Sequence, residues 1–418
     1  MTGAERTAAQ IAPLSGMTVI DFTRVLSGPY ATMLLADLGA DVIKVERPVI
    51  GDETRAWGPP FWNDTSTYFA AVNRGKRSVV IDLGTESGRD VARALVSGAD
   101  VVVENFRPGV ASRLGIASED VCAVNPGLVY ASINGFGSNG PRAQQAGTEV
   151  IVEAESGLMA MMGLPGGPPV RFGVAMVDIT TGLALVSGVL AALLERVRTG
   201  RGRVLEFPLL STAMSVLATV IASASVAPEV PQTRFGSGHP SIVPYSAFEG
   251  ADGWIVLGAI SDDMWLRLCE ALDLQHFVRD PAASTNEARV RHRALVEAKV
   301  AAAVRPLPVT EVVRRLSERG VLVAPVRSVV DAVRDPQIAV LGLLDDDDGA
   351  LFARTPLAQF NDGTLGRAPR LGEHSEDVLR AFGFSDERRA ELRAASIVHQ
   401  TEPGERPLPL GFAYDGGA

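Results

Sequence analysis

Apolar and polar positions along the first half of the chain switch repeatedly between two periods. Thr18–Phe22 packs Val19, Ile20 and Phe22 into five positions, the density of a buried strand. After Pro29, residues Met33, Leu34, Leu35 and Leu38 fall on one helical face, and Gly39 ends that helix. Asp41–Glu46 is apolar at Val42, Ile43 and Val45 and stops before Pro48. Strand, helix and strand in this order form a β-α-β unit, which favours a parallel sheet. The alternation continues with a strand over Ser78–Leu83, a helix over Glu86–Gly98, a strand over Val101–Glu104, a short helix over Ser118–Val124 and a strand over Leu128–Ile133. A Gly/Pro-rich loop, Gly163–Pro169, precedes a long apolar helix from near Ile179 to Arg198, and a strand follows over Arg203–Phe207. The pattern predicts an open α/β sheet with helices on its faces.

Beyond it, Phe207–Pro228 carries no charge and is long enough to span a bilayer. Its Pro208, Ser211, Thr212, Ser215, Thr219, Ser223 and Ser225 argue instead for a helix buried on all sides within protein. A second region opens near Pro228. Tyr245–Phe248 and Trp254–Leu257 flank Gly250, Asp252 and Gly253, the chemistry of a hairpin turn. Helices are predicted over Asp262–Leu272, Glu287–Arg305 and Val309–Arg319, with a strand over Val321–Val326 and a solvated turn at Asp345–Asp348. The Pro/Gly-rich stretch after Gln400 reads as a tail.

A chain of 418 residues exceeds one ordinary core, so two domains are expected. The net charge of −10 argues against broad binding to nucleic acid or anionic membrane, while leaving room for a small phosphorylated ligand on a local basic patch. Cys122 and Cys269 stand far apart among apolar neighbours and read as reduced, buried thiols, as in a reducing, cytoplasmic setting. No C-x-x-C or H-x-x-x-H spacing suggests a metal. The first residues lack the sustained apolar core of a signal peptide.

The loop after the first strand, Thr23-Arg24-Val25-Leu26-Ser27-Gly28, is not the G-x-G-x-x-G of a dinucleotide site. Another ligand class is implied. The stretch Thr18–Pro48 resembles the opening of the class III CoA-transferases of the CaiB/BaiF type, the superfamily of formyl-CoA transferase and α-methylacyl-CoA racemase. Further matching words follow in family order: Gly51-Asp52-Glu53-Thr54-Arg55, Asn73-Arg74-Gly75-Lys76-Arg77-Ser78, Val103–Gly109, Asn134-Gly135-Phe136-Gly137, Thr199-Gly200-Arg201-Gly202, His239–Tyr245, Asp335-Pro336-Gln337 and Leu371–Ser375. Each word is weak alone; their ordered succession from Leu14 to Phe384 is specific.

The resemblance implies a large Rossmann-like domain built from both chain ends, a smaller central α+β domain, and an interlocked, ring-like homodimer. The expected boundaries are a tail at 1–13, the large CoA-binding domain at 14–205, a linker helix at 206–228, the small domain at 229–326, a return through 327–400 and a tail at 401–418. It implies a cytoplasmic enzyme that moves CoA between carboxylic acids, with acyl-CoA as substrate and no tightly bound cofactor. An acyl-CoA racemase on the same fold, or a CoA-binding homologue without turnover, are the alternatives.

Spacing alone reads Asp178, ahead of the long helix, as an N-cap. The resemblance makes it the nucleophile, and a helix N-terminus would supply N–H donors beside it. Glu149 is by resemblance a second acidic group of the site. Thr148 stands where the racemase branch has a His base and several transferases have Tyr; a threonine cannot abstract an α-proton near neutral pH, which speaks against racemisation. CoA contacts fall by resemblance on Arg24, Val25, Leu26, Ser27, Arg47, Asn105, Phe106 and Arg113. Three positions that contact CoA in a formyl-type transferase, a Leu and two Lys, are here Ile81, Gly84 and Ala146. The basic word Arg74-Lys76-Arg77 reads as a replacement phosphate contact or as a solvated strand entry. Gly236 and Gly238 lie where some transferases carry a mobile lid; unaided, they read as an ordinary surface loop, and His239 as a structural histidine.

Overall fold

The computed structural model describes residues 11–228, 234–361 and 366–401. These divide into two compact units. One contains Met1–Ser156, Gly173–Ala218 and Leu341–Ala418; the other contains Gly157–Phe172 and Thr219–Val340. Of the expected tails, residues 1–10 and 402–418 lie outside the described residues.

The first unit is organised by a seven-stranded sheet. Its strands are β1 (Thr18–Asp21), β2 (Asp41–Glu46), β3 (Arg77–Ile81), β4 (Val101–Glu104), β5 (Val129–Asn134), β6 (Val204–Pro208) and β7 (Val398–His399). The order across the sheet is β7-β3-β2-β1-β4-β5-β6. All neighbours are parallel except β7, which caps the edge antiparallel to β3. The run β3-β2-β1-β4-β5-β6 is the doubly wound order, and its direction reverses between β1 and β4. Ligands of such sheets bind outside the carboxyl ends of the strands at that reversal, because there the loops diverge and leave a crevice.

Ile20, Ile43, Val79, Val102 and Tyr130 face one apolar core, closed by Val91 and Leu95 of the helix Glu86–Ser97 and by Val378 and Leu392 from the chain's end. The helix α1 (Ser27–Asp37) is buried along almost its whole length and packs against the long helix α3 (Met176–Thr199). A shorter helix, α2 (Glu149–Ser156), also contacts α3. Helix α3 is long and apolar enough to cross a membrane by composition, yet Val177, Leu185, Val186, Val189 and Leu193 are buried within the protein.

The second unit has an antiparallel three-stranded sheet in the order Leu322–Pro325, Trp254–Gly258, Tyr245–Glu249. Helices pack on it through Trp265, Leu268, Phe277, Val296, Val300, Val312 and Leu316.

Four local expectations are corrected. The stretch Phe207–Pro228 is not one buried helix: β6 ends at Pro208, and Leu209–Val216 and Ala218–Val226 are separate helices. Leu209 and Ala213 of the first are buried, whereas the second has no buried residue and leaves Val226 largely exposed. Absence of charge alone could not say whether the covering surface belongs to this chain. The helix expected over Glu287–Arg305 is broken at His292 into Asn286–Arg291 and Arg293–Val304. The acidic run at Asp345–Asp348 is not merely a turn. Leu344–Asp347 pairs with Ala350–Ala353 around Asp348 and Gly349, both at positive φ. Asp-Gly is a strong two-residue hairpin signal, masked here by the run of like charges. In the basic word Arg74 and Lys76 are buried in ion pairs, and only Arg77 stays at a partly exposed strand entry. Arg74 makes a bidentate pair with Asp37, Lys76 reaches Asp21, and both pairs are buried; Arg77 pairs with Asp41.

Candidate active site

The loop Thr23–Leu26 leaves the carboxyl end of β1 at the reversal point, and Asn105 leaves the end of β4 beside it. The Asn105 side chain bridges the two. Its Oδ1 accepts from the Arg24 amide at 3.0 Å, and its Nδ2 donates to the Arg24 carbonyl at 2.8 Å. Val25 is held at φ 71°, a left-handed conformation that a β-branched residue avoids unless its surroundings enforce it. Leu26 is buried and sits at the N-cap position of α1, so Ser27 opens the helix.

Helix α3 crosses α1 at Gly182. A Cβ there would meet the Ser27 carbonyl oxygen at 2.9 Å and the Tyr30 ring at 3.0 Å, so only glycine allows this approach. One turn earlier on α3, the half-buried Asp178 accepts a hydrogen bond from the Ser27 side chain. The cap reading of Asp178 is thereby corrected: Ala175 is the N-cap, and Asp178 lies in the first turn. Glu149 opens α2 and is buried. Burial, and then the charge of Glu149, push the Asp178 carboxyl up to about 6, against the lowering effect of the Ser27 hydrogen bond. A carboxylate of that basicity is largely ionised at neutral pH and is a better nucleophile than an ordinary one.

The remaining expected residues divide into two groups. Arg24 and Arg47 converge on Glu53, at 3.4 and 3.6 Å, with both side chains partly exposed. Arg113, on the short helix Val110–Leu114, is exposed. Phe106 packs one side against Phe22, with ring centroids 6.0 Å apart, and its amide donates to the Glu104 carboxylate at 2.7 Å. Gly236 and Gly238 belong to the second unit. There the Gly236 amide donates to the Gly163 carbonyl, Gly238 to Phe235, and Ser237 is hydrogen bonded to Ser246. Thr148 is exposed, and its carbonyl accepts the amides of Ile151 and Val152 at the start of α2. Among the described residues no cluster of His, Cys, Asp and Glu could hold a metal ion. Burial raises both thiols, Cys269 to about 12, as suits inert cysteines.

Residues 14–375 match the CoA-transferase family III. The chain belongs to this family. It is 36% identical to succinyl-CoA:glutarate CoA-transferase of Homo sapiens over 416 residues, covering 94% of this chain and 91% of that protein. It is 39% identical to succinate–glutarate CoA-transferase of Agrobacterium fabrum, covering 88% and 95%. A crystal structure of a CaiB/BaiF family protein from Brucella suis superposes with a TM-score of 0.82 at 37% identity, covering 89% of this chain and all of that one. The family III CoA-transferase is therefore a transferase enzyme that handles CoA thioesters, on a mixed α/β fold with a largely parallel sheet.

Reading the residues one by one missed two features. Gly182 lies in an apolar helix, where a glycine is unfavourable by about 1 kcal/mol against alanine unless close packing requires it. The second is a set of buried charges beneath the Thr23–Leu26 loop. Lys44 and Glu46 lie in the buried part of β2 among the apolar Val42, Ile43 and Val45, and buried charges must be paired.

Proposed function

We propose that this family III enzyme transfers CoA through covalent intermediates on Asp178. The observation that carries the reading is an Asp178 carboxyl raised to about 6, hydrogen bonded by Ser27 and facing Glu149. The Asp178 carboxylate attacks the carbonyl carbon of the donor acyl-CoA. The C–S bond breaks, leaving an acyl-aspartyl anhydride and CoA thiolate. The thiolate attacks the aspartyl carbonyl, the donor acid leaves as carboxylate, and an aspartyl-CoA thioester remains. The acceptor carboxylate attacks this thioester and regenerates an anhydride and thiolate. The thiolate then takes the acceptor acyl group and frees Asp178. Covalent catalysis divides one difficult exchange into reversible steps. Backbone N–H groups in the first turns of α2 and α3 would stabilise the tetrahedral oxyanions.

In this reading CoA lies across the carboxyl ends of β1 and β4. Arg24, Arg47 and Arg113 meet its phosphates, and the Val25–Ser27 loop, Asn105 and Phe106 border the pantetheine arm. The substrates are small dicarboxylic acids, as the names of the human and Agrobacterium relatives suggest. The enzyme is a cytoplasmic, interlocked homodimer.

The test is incubation with a panel of acyl-CoAs and free acids, followed by mass spectrometry. Succinyl-CoA with glutarate should yield glutaryl-CoA, and hydroxylamine should inactivate the enzyme only when acyl-CoA is present. In deuterated water, a 2-methylacyl-CoA should gain no α-deuterium. Rapid α-exchange without CoA transfer would replace this function with racemisation. Sedimentation at nanomolar concentration checks the dimer, and two prefolded, differently tagged samples should exchange subunits only after denaturation.

A further inference from the structure

Beneath the loop that carries Ser27 lies a layer of buried charge for which the covalent chemistry has no use. Lys44 of β2 stands in register with Asp21 of β1 and with Ser78 of β3, so the three share one face of the sheet at its carboxyl edge. Lys44, Asp21 and Asp52 are fully buried. The Lys44 ammonium donates to the Thr23 carbonyl at 2.7 Å and pairs with Asp52 at 3.0 Å. Asp52 Oδ1 accepts the Thr54 amide and hydroxyl, and the Val25 amide lies 3.4 Å away. Asp21 accepts the amide and hydroxyl of Thr23, the Thr32 hydroxyl and the Lys76 ammonium. Lys76 also donates to the Pro29 carbonyl in α1.

Backbone groups of Thr23, Arg24 and Val25 are thus approached from below by Asp21, Lys44, Asn105 and Asp52. A buried charge held only for stability would be replaceable by apolar packing. Here the charges point at main-chain groups of a loop in an unfavourable conformation, with Val25 at φ 71°. The arrangement resists the relaxation that would otherwise release Val25.

We propose that Lys44, with Asp52, is a positioning residue for CoA: the pair clamps the Thr23–Val25 backbone in the form that receives the CoA thioester. The assignment rests on the placement of CoA at this loop given above. It deepens that placement by naming the groups that hold the loop ready before substrate arrives. The clamp acts on CoA and not on the acceptor acid, because in that reading Arg24 meets a CoA phosphate and Val25 borders the pantetheine arm.

The deciding variant is Lys44→Met/Asp52→Asn. It removes both charges together, so neither is left buried and unpaired, and it keeps an acceptor for the Thr54 amide. Free CoA is titrated calorimetrically into the full-length protein, and KM values are measured for succinyl-CoA and for the acid acceptor. The expected result is a folded protein with CoA affinity weakened about tenfold or more, the scale of one charge-assisted contact. KM for succinyl-CoA should rise in parallel, with KM for the acceptor unchanged. An unfolded variant, a wild-type affinity for CoA, or an equal rise in both KM values overturns the assignment. Asn105→Ala separates this failure from that of the underlying placement. If it weakens CoA while the Lys44→Met/Asp52→Asn protein does not, only the Lys44 role falls. If neither changes CoA affinity, the loop is not the CoA site and both readings fall.

Discussion

Gly182 approaches Ser27 so closely that an added Cβ would stand 2.9 Å from the Ser27 carbonyl oxygen. That contact sets the distance between α1 and α3 and places Asp178, one turn away on α3, beside the Ser27 hydroxyl. The nucleophile's environment is thus governed by a residue with no side chain.

Gly182→Ala should damage activity more than stability. Alanine is the better helix former by about 1 kcal/mol, which offsets part of an overpacking cost of about 1–3 kcal/mol. Separating the helices moves Asp178 from Ser27, and a displacement near 1 Å can cost roughly 100-fold in rate. Steady-state kinetics and thermal melting on the same sample check this. A variant with wild-type kcat would show that the close approach does not position the site.

Ser27→Ala and Glu149→Gln should move the acid limb of the kcat/KM profile in opposite directions. The wild-type limb should lie near pH 6, with activity lost as the pH falls through it, because the protonated Asp178 is no nucleophile. Loss of the Ser27 hydrogen bond removes a lowering influence, so the limb rises. Loss of the Glu149 charge removes a raising influence, so the limb falls. Shifts of the same sign in both variants would contradict the electrostatic arrangement.

Asp178→Asn should abolish turnover while leaving CoA binding largely intact, and it should also stabilise the fold. The folded carboxyl titrates at about 6 against an ordinary 3.8, so the unfolded state holds the charge more readily. Below pH 3.8 both states are protonated and the variant has no advantage. Its advantage grows between pH 4 and 6 and is complete above 6. Discounted for partial exposure to solvent, it should amount to about 1–2 kcal/mol at pH 7. Urea unfolding at pH 4 and pH 7 measures it; an equal difference at both pH values would refute the linkage.

Lys76→Met should be among the most destabilising single changes to a charged residue, at about 3–5 kcal/mol, because it leaves Asp21 buried without its ammonium partner. Arg314→Met, which breaks exposed pairs with Glu311 and Glu318, should leave the unfolding midpoint unchanged. Comparable losses from both would mean that the buried pair contributes no more than a surface one.

The strand and helix positions of the large unit were legible in the sequence because they rest on local periodicity and on Gly and Pro stops. Asp41–Glu46, Val101–Glu104 and Ser118–Val124 were placed to the residue, and the parallel sheet followed from the β-α-β alternation. The family words carried the assignment to CoA transfer. What the chain alone left open depended on partners distant in sequence. Asp178 as a half-buried carboxylate against Ser27, rather than a helix cap, required the crossing of α1 and α3 at Gly182. Arg74 and Lys76 looked like surface cations until Asp37 and Asp21 were brought to them across the sheet. Composition counts a charge the same wherever it lies; only the tertiary structure determines whether it meets water or an opposite charge, and so what it can do.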